Sequence, residues 1–186
     1  SNNKKIILFP GRLTKWKGQI EFLSVIEKFK NKPYIFYFVG DDKNISYTKK
    51  LVNLINKKDL INNCHILGHL DRNQLKLMYH CADLVISAPL RPEGFGRTIS
   101  ESLIMEKIIL SYNFGGAKNQ LDGLDNLYKI TPNKLEELKI RIEKIFNMPE
   151  SDLKKIKLFG KQHVLSKFSK EQMLKSYMEL YRNISF

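Results

Sequence analysis

Glu93 and Glu101 stand eight positions apart in the stretch Pro92-Glu93-Gly94-Phe95-Gly96-Arg97-Thr98-Ile99-Ser100-Glu101, directly after the apolar run Leu84-Val85-Ile86-Ser87-Ala88. Two flanking carboxylates are the pattern of a hydrolytic acid/base pair. The same stretch also reads as strand, loop and helix start. A helix beginning near Gly96 or Arg97 aims its unpaired backbone N–H groups back over the loop, and their partial positive charge suits an anion such as phosphate. Gly94 and Gly96 offer access to positive φ and a backbone that a ligand can approach closely. A second cluster, Gly11-Arg12-Leu13-Thr14-Lys15-Trp16-Lys17-Gly18, follows an earlier apolar run. Arg12 and Lys17 bracket a turn there, so both cations can reach a common anion, the planar guanidinium engaging two oxygens at once. Each cluster has a plainer reading. The first loop is also a solvated basic turn, and Thr98-Ile99-Ser100-Glu101 also spells a capping box in which Glu101 reaches back to the helix start.

The elements that must carry these loops alternate. Segments 5–9, 34–39, 64–68, 83–88, 107–112 and 126–130 are short and apolar on consecutive positions, as buried parallel strands are. Amphipathic segments at 17–30, 46–57, 71–82 and 98–106 lie between them. The pattern predicts an α/β, Rossmann-like, doubly wound parallel sheet of about six strands, covered on both faces. Ligands of such sheets bind beyond the carboxyl ends of the strands, so the loops after Phe9, Val39, Leu67, Ala88 and Asn113 should share one rim. Beyond the last strand the chain turns helical. Thr131 is a candidate cap with Pro132 at the first helical position, followed by Leu135, Leu138, Ile142, Ile145 and Phe146 at near-helical spacing. Two extra C-terminal helices are expected near 151–167 and 169–183. Leu174, Tyr177, Met178 and Tyr181 mark an apolar face on the last one, with no later segment to cover it.

The 186 residues, 42% of them apolar, suffice for a core and suit a single domain spanning 1–186. There is no internal repeat. The longest apolar runs fall short of the roughly 20 residues that cross a bilayer, and Ser1-Asn2-Asn3-Lys4-Lys5 carries no signal-peptide pattern, so a soluble cytoplasmic chain is expected. Cys64 and Cys81 form neither a C-x-x-C motif nor a disulfide framework and read as reduced thiols. The net charge of +13 favours anionic partners, whether nucleic acid, acidic lipid or phosphorylated ligand. Only six of the 32 cations are arginines, at 12, 72, 91, 97, 141 and 182. Arginine clusters interleaved with aromatics are missing, which argues against nucleic acid as partner.

Taken together, Gly11-Arg12-Leu13-x-x-x-Lys17-Gly18 and Glu93-Gly94-Phe95-Gly96 running to Glu101 resemble the C-terminal, donor-binding half of GT-B glycosyltransferases, specifically retaining family 4 (glycosyl transferases group 1). The resemblance extends to Gly68 ending the third strand, to Leu75–Cys81 running into Ala82-Asp83, to Gly115-Gly116 and to the tail from Phe168-Ser169 to Tyr181. Two motifs in the right order are specific where either alone is weak. The resemblance implies a pocket for a nucleotide-diphosphate sugar, with Gly11 in the first loop and Arg12 and Lys17 holding the diphosphate and offsetting charge on the leaving group. The amides of Gly96, Arg97 and Thr98 would add donors, and Gly94 and Phe95 would complete the loop. Glu93 would touch donor-sugar hydroxyls, since a carboxylate beside an anion site repels the anion unless it binds something else. Glu101 would accept from the ribose, and the backbone at His69 and Leu70 would face the base. Arg12, Lys17 and Glu93 are thus the catalytic candidates. The family retains anomeric configuration by same-face attack, the departing phosphate taking the acceptor proton, so no general base is required.

The resemblance implies transfer of a hexosyl unit to a saccharide or lipid-linked acceptor in cell-envelope polysaccharide synthesis. It also implies that an N-terminal acceptor domain precedes this half, leaving the isolated domain weakly active or inactive. No cofactor and no metal are expected. Asp41-Asp42 could ligate a divalent ion on the same rim, but relatives read Gly-Asp-Gly and manage without one. Asp42 departs from that pattern, either altering ribose or base contacts or serving as a turn residue. Cys64, His65, His69, His80 and Cys81 resemble a zinc set only on paper, because 65–69 crosses a strand end instead of following a helix. Lys118-Asn119 replace the proline and glutamate that commonly follow the paired glycines. Lys118 there is either an extra cation near the phosphates or a surface lysine. The alternatives are a nucleotide-sugar epimerase of the same fold and a non-catalytic basic module for nucleic acid or acidic membrane. The lysine-rich surface also suggests peripheral contact with the anionic inner face of a membrane.

Overall fold

A computed structural model of the chain describes residues 4–41 and 43–184; Asp42, on which one departure from the family pattern falls, lies outside them. Six parallel strands, β1 (Lys5–Pro10), β2 (Tyr34–Val39), β3 (Cys64–Gly68), β4 (Leu84–Ser87), β5 (Ile108–Tyr112) and β6 (Lys129–Ile130), form one sheet in the order β3-β2-β1-β4-β5-β6. The helices are α1 (Gln19–Lys28), α2 (Ile45–Lys57), α3 (Arg72–Cys81), α4 (Arg97–Ile104), α5 (Gly116–Leu121), α6 (Leu135–Phe146), α7 (Glu150–Phe168) and α8 (Lys170–Ile184). The doubly wound α/β architecture expected from the alternation is present. Every residue of β4 and β5 is buried, which is why these strands are apolar on consecutive positions and do not alternate. On one face α1 inserts Phe22, Leu23, Val25 and Ile26 against the sheet, Phe22 lying 5.3 Å from Phe9 and 5.9 Å from Phe36 between ring centroids. Each such side chain contributes about 1.5–3 kcal/mol by leaving water.

Strand order reverses between β1 and β4, which pair directly as Ile7 with Leu84 and Leu8 with Val85. The loops after these two strands therefore leave the sheet side by side, and the crevice between them is where a ligand of such a sheet binds.

Three details differ from expectation. The sixth strand is two residues long, because Asn126–Tyr128 coils into a 3-10 turn whose Leu127 N–H donates to the Asp125 carboxylate at 2.6 Å. Thr131 does not cap α6. Asn133 takes φ 63°, outside any helix, so the helix begins at Leu135, and the Glu137 side chain reaches back to accept from the Thr131 N–H at 2.9 Å. The segment after Gly115 is helical and not an open loop. The apolar face expected on the last helix is uncovered: α8 buries none of its described residues, and Leu174, Tyr177 and Met178 are each about half exposed. No helix among the described residues is long and apolar enough to cross a membrane.

Candidate functional site

The loop leaving β1 is pinned at its base by main-chain bonds to the loop after β2: the Gly11 N–H donates to the Val39 carbonyl at 2.7 Å and the Leu13 N–H to that of Asp41 at 2.8 Å. Leu13 is fully buried, and the Arg12 carbonyl accepts from Gln19 Nε2 at 3.0 Å. The outward side chains Arg12, Trp16 and Lys17 are therefore presented from a fixed backbone. Trp16 lies near both cations, with Lys17 Nζ 4.6 Å and the Arg12 guanidinium carbon 5.8 Å from its ring. At those distances the ring quadrupole attracts both charges. The Lys17 stem runs over Gly11, where a Cβ would stand 3.4 Å from its methylenes.

The loop leaving β4 faces these cations. Lys17 Nζ donates to Glu93 Oε1 in an ion pair whose side chains are only 12% and 16% exposed, joining residues 76 positions apart. The Leu90 N–H donates to the Trp16 carbonyl at 2.6 Å, a second tie between the two loops. Gly96 takes φ 78° and caps α4, so the helix opens at Arg97 with its first amides turned toward the crevice. Gly94 has no positive φ, and a Cβ there would meet nothing within 4 Å. Of the two roles expected for these glycines, backbone conformation belongs to Gly96 alone.

The expected capping box is not formed. No side chain caps α4, and the Glu101 carboxylate accepts instead from the Tyr79 hydroxyl at 2.9 Å. Burial, and then the adjacent Glu101 carboxylate, hold the Tyr79 phenol well above its ordinary pKa, so it stays a donor. The paired glycines after β5 do not reach the crevice. The Gly116 N–H donates to the Glu93 carbonyl at 2.8 Å from behind, and Lys118 and Asn119 are exposed and outside the cavity lining. The rim is thus made by four of the five expected loops.

A cavity of about 690 Å³ opens between them. Gly11, Arg12 and Lys17 line one wall; Glu93, Gly94, Phe95, Gly96, Arg97, Thr98 and Glu101 line the other; His69 and Leu70 close the far end. Every candidate named from the sequence meets in this one space. Asp41, weighed from the sequence only as a metal ligand, lines it too, as do Trp16 and Leu75, which were not among the candidates although Trp16 stands inside the first motif. Asp41 Oδ1 accepts from the Lys43 N–H at 3.0 Å. Among the described residues no three His, Cys, Asp or Glu side chains converge as a metal site; Cys64 is buried in the sheet and Cys81 exposed.

Residues 1–163 match the family described as glycosyl transferases group 1. The chain belongs to that family. A solved glycosyltransferase from Rickettsia africae is 34% identical with a TM-score of 0.89, covering 98% of this chain and 48% of its own. An Anabaena protein crystallised with UDP and glucose shares the fold at TM-score 0.86 and 22% identity, over 98% of this chain and 49% of that one. The 2-deoxystreptamine N-acetyl-D-glucosaminyltransferase of Niallia circulans is 26% identical over 180 residues, 96% of this chain and 45% of the relative. This group 1 glycosyltransferase chain thus spans about half the length of the relatives it matches. Its sheet is the Rossmann-like sheet of those GT-B enzymes.

Proposed function

We propose that the chain is the donor-binding half of a retaining glycosyltransferase that takes a hexosyl group from a nucleotide-diphosphate sugar. The observation that carries this reading is the single cavity in which Arg12, Lys17 and the α4 amides face one another across the β1/β4 crevice. Arg12 and the α4 amides supply positive potential there, and Lys17 adds a third source once it leaves Glu93, which suits two phosphates. The Anabaena neighbour, solved with UDP and glucose, supports the same ligand class.

Chemically, breaking the bond between sugar and diphosphate develops negative charge on the leaving phosphate, and Arg12, Lys17 and the helix amides stabilise it without a metal. Before donor arrives, Lys17 is neutralised by Glu93. The incoming diphosphate draws Lys17 away, and Glu93 then turns to the sugar hydroxyls, so one ion pair is exchanged for two donor contacts. Glu101, already taking one bond from Tyr79, has lone pairs left for ribose hydroxyls. His69 and Leu70 at the far end suit the base. The acceptor, a saccharide or lipid-linked sugar of an envelope glycan, is met by a preceding domain outside this chain, and lysine-rich surface helps hold the enzyme to anionic lipid at the cytoplasmic face.

Titration of the chain with UDP, GDP and ADP, following its melting temperature, tests the reading, because a ligand of the folded state stabilises by mass action. At least one of the three is expected to raise it. No shift with any of them, together with a shift on duplex DNA, would sink the donor assignment in favour of a nucleic-acid module. Interconversion of free nucleotide sugars without acceptor would point to an epimerase. Sedimentation with vesicles that does not depend on anionic lipid removes the membrane contact.

A further inference from the structure

Gln120 lies in α5, fully buried and outside the cavity lining, yet its carboxamide is committed to the back of the loop that faces the ligand. Nε2 donates to the Phe95 carbonyl and, at 3.2 Å, to the Gly96 carbonyl, while Oε1 accepts from the Ser100 hydroxyl of α4 at 2.5 Å. Both amide hydrogens are used, and the serine fixes which end of the amide points where. The main-chain carbonyl of the same residue is held by His163 Nε2 of α7 at 2.8 Å, and His163 is itself buried. Phe168, ending α7, meets His163 at 6.2 Å and Phe95 at 5.9 Å between ring centroids. Gln120 is therefore anchored at both ends of its residue before it touches the loop.

The Phe95 carbonyl shares a peptide plane with the Gly96 N–H, and the Gly96 carbonyl shares one with the Arg97 N–H. In a planar trans peptide the two groups point in opposite directions, so fixing one fixes the other. Drawing both carbonyls inward onto one buried carboxamide turns both N–H groups outward, toward the cavity that Gly96 and Arg97 line. Glycine at 96 needs such a restraint, since without a Cβ its φ of 78° is one choice among several.

We infer that Gln120 is a positioning residue of the anion site. It orients the Gly96 and Arg97 amides for a diphosphate oxygen without touching the ligand, and it ties their geometry through His163 to the long helix α7. The inference rests on the donor-site reading above.

The chain and its Gln120→Met variant, which keeps length and burial but loses both donors, are compared by calorimetric titration with UDP, GDP, ADP and inorganic pyrophosphate. Amide hydrogen exchange at Gly96 and Arg97 is followed without ligand. The expected result is about tenfold weaker binding of pyrophosphate and of whichever nucleotide binds best, with faster exchange at those two amides and no change at the α3 amides. A residue that only fills space would not move those two amides selectively. Ser100→Ala, which releases the carboxamide without emptying the core, should give the same pattern more weakly and decides the matter if Gln120→Met does not fold. Unchanged affinity and unchanged exchange in a folded variant overturn the inference and leave the donor site standing. Failure of the unaltered chain to bind any of the four overturns both.

Discussion

The two loops that face each other across the crevice are held in opposite ways. The loop after β1 is secured by its own neighbourhood: Leu13 is sunk in the core, its main chain is bonded to the adjoining loop, and Arg12 and Lys17 are steadied by a ring near both. The loop after β4 has little of its own to stand on. Gly94 is exposed, Phe95 is 46% exposed, and its carbonyls are bonded from behind by residues of the segment after β5. Cations can be placed by local structure because a charge acts over several ångströms. Backbone amides must be aimed, and aiming requires support from elsewhere in the chain.

The largest effect should come from removing the cations. Arg12→Ala with Lys17→Ala deletes two charge-assisted partners, so nucleoside diphosphate binding should weaken roughly 100-fold or more by calorimetry while the fold persists. Retention of binding would mean that the aimed amides suffice alone and that the contrast between the loops is false. Next is the support of the second loop. A Cβ at Gly116 would stand 2.2 Å from the Gly94 carbonyl oxygen, so Gly116→Ala should cost about 2 kcal/mol and lower the melting temperature by about 4–8 °C. Gly94→Ala meets no neighbour and should leave melting unchanged while impairing donor binding, which separates support from contact at adjacent points.

A smaller and opposite effect is expected at the tie between the loops. Glu93→Gln removes the carboxylate that neutralises Lys17, so a nucleoside diphosphate lacking sugar should bind about threefold tighter, whereas donor turnover by the two-domain enzyme should fall. Weaker diphosphate binding would instead show that Glu93 positions Lys17. The smallest effect concerns the sheet behind both loops. Burial pushes the Cys64 thiol up to about 12, so at pH 8 it is almost wholly protonated and should resist alkylation, while exposed Cys81 reacts. Mass spectrometry should find one adduct, and modification of Cys64 in the folded chain would show the sheet opening beneath the site.

The fold was legible because buried parallel strands must be apolar on consecutive positions, and Ile6–Phe9, Leu84–Ile86 and Ile108–Leu110 are. It failed where a local competitor won: Asp125 captures the Leu127 amide and coils away most of the sixth strand, and Asn133 breaks the helix that Thr131-Pro132 was expected to start. The site residues were legible because motif positions fall at strand ends, where the topology gathers them. Their partners were not. Tyr79 takes Glu101 from its helix cap, Glu93 pairs with Lys17, and Gln120 grips the loop, across separations of 22, 76 and 25 residues. No local spacing rule reaches that far.

Trp16 is the sole tryptophan of the chain and sits against Lys17, the cation that on the proposed reading changes partners when donor binds. Its indole is therefore an optical probe already installed at the Arg12 and Lys17 end of the cavity. Selectively excited tryptophan emission comes from that ring alone and responds to changes in its surroundings, so occupancy of the cavity can be followed in solution, without label, and timed on the scale of the binding event itself.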